Sequence, residues 1–154
     1  MPQHDTLVAW LKDAYSMEAG AIPALERFAA TASSDAALHS KLEEHLAKTR
    51  GHADKLRACL HRFGQAAPQP TPWPDSPATG NRDGDGLIKH SLAGFAAEQF
   101  EIATYKALLV AAQAADDFQT LAMCEEILDD EEDMARWLED HLPPAVHDFV
   151  LKGP

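Results

Sequence analysis

The chain has 154 residues and a formal net charge of −12. This length is sufficient for one domain with a buried core. The acidic balance excludes binding to nucleic acid through the phosphate backbone, which requires a basic surface, and it disfavours anionic membrane surfaces. It favours cationic partners, metal ions among them. Hydrophobic residues make up 45% of the chain, as expected of a globular protein.

Two observations bear on the compartment. No apolar run approaches the roughly 20 residues that a membrane-spanning helix needs. The start of the chain lacks a basic segment followed by an apolar one, so we expect no signal peptide and a cytoplasmic location. Cys59 and Cys124 do not have the spacing of a zinc site, and we expect both to be small buried thiols.

Four long segments have apolar residues at helical spacing, and they define the predicted elements. The first helix is predicted over about 5–30, with Asp5 or Thr6 as its N-cap. Gly20 and Pro23 lie inside this segment, and an internal proline removes one helical hydrogen bond, so we expect a kink or a π-bulge there. The second helix is predicted over about 36–63.

The third and fourth helices are predicted over about 86–115 and 117–141, with Pro143 and Pro144 ending the fourth. The segment 65–85 is rich in proline and predicts a long irregular crossover between helices two and three. Four amphipathic helices with short links within each pair and one long crossover are typical of the ferritin-like four-helix bundle. We therefore predict an all-α fold with a single ferritin-like domain over residues 1–154.

Ionisable side chains interrupt the apolar stripes of these helices. A carboxylate on a core face loses its hydration, which costs several kcal/mol unless a cation, a proton or hydrogen bonds compensate. Neighbouring carboxylates also repel one another. Carboxylate and neutral imidazole are good ligands for iron and manganese. We expect metal to be held by six residues: Glu18, His45, His52, Glu98, Glu101 and Glu131.

Ferritin-like di-metal proteins take one glutamate from each of two helices and a Glu-x-x-His motif from each of the other two. Here helices one and three offer Glu18 and Glu101. The motif is altered on the other two helices, where the sequence reads Thr49-x-x-His52 and Glu131-x-x-Met134.

A neighbouring histidine can compensate for the altered motif on helix two. His45 lies one turn from Thr49. Along the bundle, the step from Thr49 to His45 runs the same way as the step from Glu101 to Glu98. We therefore expect His45 to replace the missing ligand at Thr49 and to face Glu98.

Four stretches of the chain resemble the YciE/YciF-type family of bacterial ferritin-like proteins: LKDAYSMEAGAIPAL, EEHLAKTRGHADKL, AAEQFEIATYKAL and EEILDDEEDMARWLE. The fourth is also similar to the last bundle helix of bacterioferritins, with Met134 where their ligand histidine stands. The resemblance implies a dimeric bundle, a di-iron-type centre and a stress-response setting, without an assigned reaction. Two departures are His52, often glutamine in that family, and Ala135, where the family tends to carry aspartate.

Two functions are compatible with these features. The first is a dinuclear iron or manganese site that handles dioxygen, peroxide or iron, in which Tyr105 is either a packed core tyrosine or an outer-sphere hydrogen bonder. An oxidase-type or peroxidase-type activity is open in this case. The second is a non-catalytic bundle that acts as a stress-related interaction or structural protein, with its carboxylates protonated or paired with histidine. The resemblance favours a homodimer over an iron-storage shell.

Overall fold

A computed structural model describes residues 1–73 and 84–153. Helix α1 spans Pro2–Thr31, α2 spans Ala36–Arg62, α3 spans Gly86–Ala114 and α4 spans Phe118–Lys152. A short 3-10 turn, Ala32–Ser34, joins α1 to α2. No strand occurs in the described ranges. Residues 74–83 and 154 lie outside them, so the predicted crossover over 65–85 is described only in part.

The four helices enclose a polar layer between two apolar clusters. Helix α1 packs against α2 and α3, and α4 packs against α3 and α2. One cluster contains Leu11, Leu56 and Leu108, and the other contains Phe28 and Leu138. Each helix carries its buried ionisable residues between the positions that it contributes to these two clusters. The apolar residues therefore hold the polar layer away from both ends of the bundle.

Helix α1 begins earlier than predicted and contains no π-helical segment. Its first residue is Pro2, whose fixed φ suits the first helical position and whose missing N–H would be unpaired there in any residue. The helix is α-helical at every residue through Gly20 and Pro23, so the expectation of a π-bulge is wrong. Helix α2 begins as predicted, because the side chain of Asp35 accepts a hydrogen bond from the Leu38 backbone N–H at 3.0 Å.

Helix α4 is longer than predicted. It continues through Pro143 and Pro144 to Lys152 instead of ending near residue 141. The reason is a second amphipathic pattern after the prolines, in which four half-buried apolar residues recur at helical spacing. They are Leu142, Ala145, Val146 and Phe149. Burial of this face compensates for the hydrogen bonds that the two prolines remove.

The described part of the crossover is fixed to α1. The Thr71 backbone N–H donates to the Ser16 carbonyl oxygen at 3.0 Å, and the Trp73 indole N–H donates to the Met17 carbonyl oxygen at 3.0 Å. Gly20 permits this close approach, because a Cβ atom at that position would overlap with the Thr71 carbonyl oxygen. The crossover thus lies directly over the turn of α1 that carries Glu18.

We expect Gly20→Ala to reduce the free energy of unfolding by about 1–3 kcal/mol, because the added methyl group displaces the crossover. Gly51→Ala is the matched control, since it is also in a helix and nothing lies within 4 Å of its Cβ position. That variant should gain up to about 1 kcal/mol from helix propensity. Urea denaturation measures both values, and equal effects would contradict the close packing of the crossover.

Candidate metal centre

The six side chains selected from the sequence all lie in the polar layer, and none is more than 4% exposed. They form two groups whose potential ligand atoms lie within 4.8 Å of one another. The first group is His45, Glu98, Glu101 and Glu131, and the second is Glu18, His52 and Glu131. Glu131 belongs to both groups and is therefore positioned to bridge two ions.

The first group contains the expected pairing of helices α2 and α3. His45 Nε2 lies 2.8 Å from Glu98 Oε1 and 3.7 Å from Glu131 Oε2. Thr49, which stands in the altered motif, is 1% exposed, and its hydroxyl has no hydrogen-bond partner. His45 thus brings an imidazole to the part of the layer where Thr49 supplies no strong ligand.

The second group is centred on His52. Its Nδ1 atom lies 3.0 Å from Glu131 Oε1 and 3.6 Å from Glu18 Oε1. Tyr105 is completely buried, and its hydroxyl donates a 2.6 Å hydrogen bond to Glu18 Oε1. Tyr105 is therefore a core tyrosine with a satisfied hydroxyl that also fixes the orientation of a candidate ligand.

Asp130 is a member of the site that is absent from the six residues selected from the sequence. Its Oδ2 atom lies 2.8 Å from His52 Nε2, while its side chain remains 32% exposed. A carboxylate on one imidazole nitrogen orients the ring and directs the other nitrogen to a metal. In the sequence, the only indication of this contact is that Asp130 adjoins Glu131 and lies at the edge of the buried stripe of α4.

Burial and mutual repulsion change the protonation of the carboxyl groups. Burial, increased by repulsion from neighbouring glutamates, raises the pKa values of Glu98 and Glu101 well above the usual carboxyl value. Burial and repulsion from Glu131 raise the pKa of Glu18 to about 7. For Glu131 burial acts in the same direction, but the close contacts with Glu98 and His52 outweigh it and hold the pKa of the Glu131 carboxyl below the usual range.

The two histidines differ in charge. Burial lowers the pKa of His45 below its ordinary value of 6.5. Burial also acts to lower the pKa of His52, but its contacts with Glu131, Glu18 and Asp130 outweigh this and raise it to about 10. The metal-free layer therefore combines an ionised Glu131 and a cationic His52 with protonated carboxyl groups. Protons compensate for the buried negative charge when no metal does.

The polar layer also contains atoms that nothing in the described part of the chain satisfies. Among the six candidate ligands, five buried side-chain atoms lack a hydrogen-bond partner: Glu18 Oε2, His52 Nδ1, Glu98 Oε2 and both carboxylate oxygens of Glu131. The His52–Glu131 distance of 3.0 Å is short enough for an ion pair, but the two groups are not aligned as a hydrogen bond. Once they have lost their protons, these converging oxygen and nitrogen atoms fit the requirements of a hard or borderline metal ion.

The fold and this layer together define the class of protein, a ferritin-like four-helix bundle. The structure is similar to the bacterioferritin of Desulfovibrio desulfuricans, described with a diiron site, with a TM-score of 0.79 and 15% identity over 92% of this chain and 81% of that one. It is also similar to YcfI of Rhodopseudomonas palustris, a protein given a provisional structural role (TM-score 0.78, 22% identity, 89% and 92% covered). The predicted all-α, ferritin-like fold is confirmed.

The chain belongs to the family described as Domain of unknown function (DUF892), whose pattern matches residues 3–151. A protein from Xanthomonas campestris pv. campestris has 29% identity and a TM-score of 0.88, with 99% of this chain and 98% of that one covered. The resemblance to the YciE/YciF-type family is confirmed by these matches.

Two further expectations can be compared with the structure. Among the described residues, no helix is both long enough and apolar enough to cross a bilayer. Cys59 and Cys124 are buried free cysteines, as predicted. Both belong to the apolar cluster that contains Leu11, on one side of the polar layer.

In the metal-free protein we expect stability to fall as the pH rises from about 5 to about 8. Unfolded glutamates lose their protons near pH 4.5, while Glu18 keeps its proton until about pH 7 and Glu98 and Glu101 also titrate late. Their contribution to stability is complete below the unfolded pKa and is lost as the pH rises through the folded values. The raised pKa of His52 adds to this trend above pH 6.5.

Thermal unfolding of the metal-free protein across this range measures the effect. The variant Glu101→Gln imitates the protonated side chain and should flatten the dependence on pH. Glu125→Gln, an exposed position on α4, is the control and should leave it unchanged. A slope that is the same in both variants would show that Glu101 does not hold a proton in the folded protein.

Proposed function

We propose that the protein binds two metal ions, iron or manganese, in the polar layer and uses them to handle dioxygen, peroxide or iron. The observation that carries this proposal is the convergence of five unsatisfied polar atoms in a layer where no candidate ligand is more than 4% exposed. An unsatisfied buried polar group costs about 1–3 kcal/mol, and more when charged. Two cations would satisfy all five atoms at once.

The two groups of side chains assign the ligands. His45, Glu98 and Glu101 would hold one ion, Glu18 and His52 the other, and Glu131 would bridge them. Oxygen and imidazole donors suit iron and manganese, whereas a structural zinc site commonly uses thiolates. When bound, such a metal pair supplies electron exchange with a small oxidant.

The surrounding residues would prepare this site for its ions. Asp130 occupies His52 Nε2 and so leaves Nδ1 directed at Glu131 and Glu18. Tyr105 holds Glu18 through its hydroxyl. The apolar clusters on both sides exclude water, which strengthens electrostatic interactions within the layer.

A non-catalytic bundle is the second candidate, and one observation favours it. The metal-free side chains already form pairs, His45 with Glu98 and His52 with Asp130, each at 2.8 Å. In this case protons and histidine would neutralise the layer permanently, and the protein would act as a structural or interaction partner. The homodimer, the stress-related role and the cytoplasmic location stay predictions under either function, and light scattering tests the first of them.

Metal analysis of protein produced with iron and manganese distinguishes these functions. We expect about two ions per chain, as in other two-metal carboxylate sites. Glu131→Gln should abolish stoichiometric uptake, because it weakens both positions, and Glu101→Gln should weaken one. Glu132→Gln, the adjacent position, is the control and should retain both ions. Wild-type protein without metal, and without a rise in melting temperature on adding it, would establish the non-catalytic bundle.

The role of Asp130 has its own test. Asp130→Asn keeps the shape of the side chain but removes the charge that orients His52, so we expect metal affinity to fall about 10- to 100-fold. Asp129→Asn, an exposed neighbour, is the control. Competition titration with manganese measures both affinities. Equal affinities in the two variants would show that the contact between Asp130 and His52 does not support the site.

A further inference from the structure

A narrow cleft between α1 and α3 leads to the polar layer. Its volume is about 90 Å³, and its inner end is formed by Glu98 and Glu101. Its walls come from the two helices and the crossover. Five are small (Ala21, Ala24, Ala93, Gly94 and Ala97), and the larger ones include Leu25, Phe28, Trp73 and His90. Small residues on both facing helices keep the space between them open.

The cleft ends at the two buried glutamates of α3. Glu98 and Glu101 are 4% and 3% exposed, whereas Glu18 and Glu131 have no exposed surface. Glu98 Oε2 is one of the buried atoms without a hydrogen-bond partner. The inner end of the cleft therefore lies against two carboxyl groups of the first group of candidate ligands.

The size and lining of the cleft limit what can occupy it. A water molecule takes up about 30 Å³ in the liquid, and a cavity of about 150 Å³ accommodates benzene. The cleft thus has room for a few atoms but not for an aromatic ring. Its mostly apolar walls would not replace the hydration of a divalent cation.

We propose that this cleft is the binding site and access route of a small neutral oxidant, dioxygen or hydrogen peroxide, on the Glu98 and Glu101 side of the metal pair. It excludes organic peroxides that carry aromatic or branched groups. This assignment rests on the proposed function, because it supposes a metal pair for the oxidant to reach.

The first test needs no metal. Ala97→Leu places a larger side chain in the cleft, whereas Ala96→Leu adds the same side chain to the exposed face of α3 and is the matched control. Xenon binds in small apolar cavities and reports on them by anomalous scattering. In crystals of metal-free protein under xenon pressure, we expect a xenon atom in the cleft of the wild type and Ala96→Leu and none in Ala97→Leu. A wild-type cleft without xenon would overturn the proposal.

The second test follows oxidation of the iron-loaded protein by stopped-flow absorbance, with dioxygen, hydrogen peroxide and cumene hydroperoxide in separate experiments. We expect the true small oxidant to oxidise Ala97→Leu at least about tenfold more slowly than the wild type, at unchanged iron content. The oxidant whose reaction slows in Ala97→Leu is the one that uses the cleft. Cumene hydroperoxide should react slowly even with the wild-type protein. Equal rates for Ala97→Leu and Ala96→Leu in both small-oxidant arms would overturn the proposal.

The outcomes separate the cleft from the metal site. Wild-type protein that takes up no iron would refute the proposed function, and the xenon experiment alone would then decide whether the cleft admits small neutral molecules. If Ala97→Leu does not fold, Ala24→Val fills the same cleft from the facing helix α1 and replaces it in both tests.

Discussion

The relative placement of the four helices depends on the burial of Glu131 among other ionisable groups. Its carboxylate has no exposed surface and lies 3.0 Å from His52 Nδ1 and 3.7 Å from His45 Nε2. Such a group is tolerated only where positive charge or protons surround it. Rotation of any helix by one residue, about 100°, would move its ionisable side chain from the polar layer toward the apolar surroundings. The layer therefore fixes the register of the four helices at the same time as it assembles a site.

The altered motifs make the two halves of this site unequal. One half has His45 with three glutamates, and the other has His52 with only two. Met134, in the position of a ligand histidine in bacterioferritins, instead packs in the apolar cluster with Phe28. Because the second half has fewer anionic ligands, its occupancy depends more strongly on the orientation of His52. The contact with Asp130 acts on this weaker half.

Helical periodicity was sufficient to predict the elements and the six side chains that meet, because a residue on a buried stripe must face the other helices. It could not predict Asp130. This residue lies at the edge of the stripe, and it belongs to the site only because His52 of α2 lies next to it. The end of α4 was wrong because the rule that proline stops a helix was applied without weighing the apolar spacing from Leu142 to Phe149. The close approach of Thr71 to Gly20 is a tertiary contact that no local pattern encodes.

Two sides of the polar layer differ in what they contact. On one side, Asp130 orients His52 at the edge of the layer, and Lys48 lies 3.5 Å from Asp130. On the other side, the cleft ends at Glu98 and Glu101, two carboxyl groups whose pKa values burial raises well above the usual value. A carboxylate thus fixes the imidazole on the first side. In the proposed metal-bound protein, Glu98 and Glu101 would give up their protons to the solvent as the cation binds, at the inner end of the cleft.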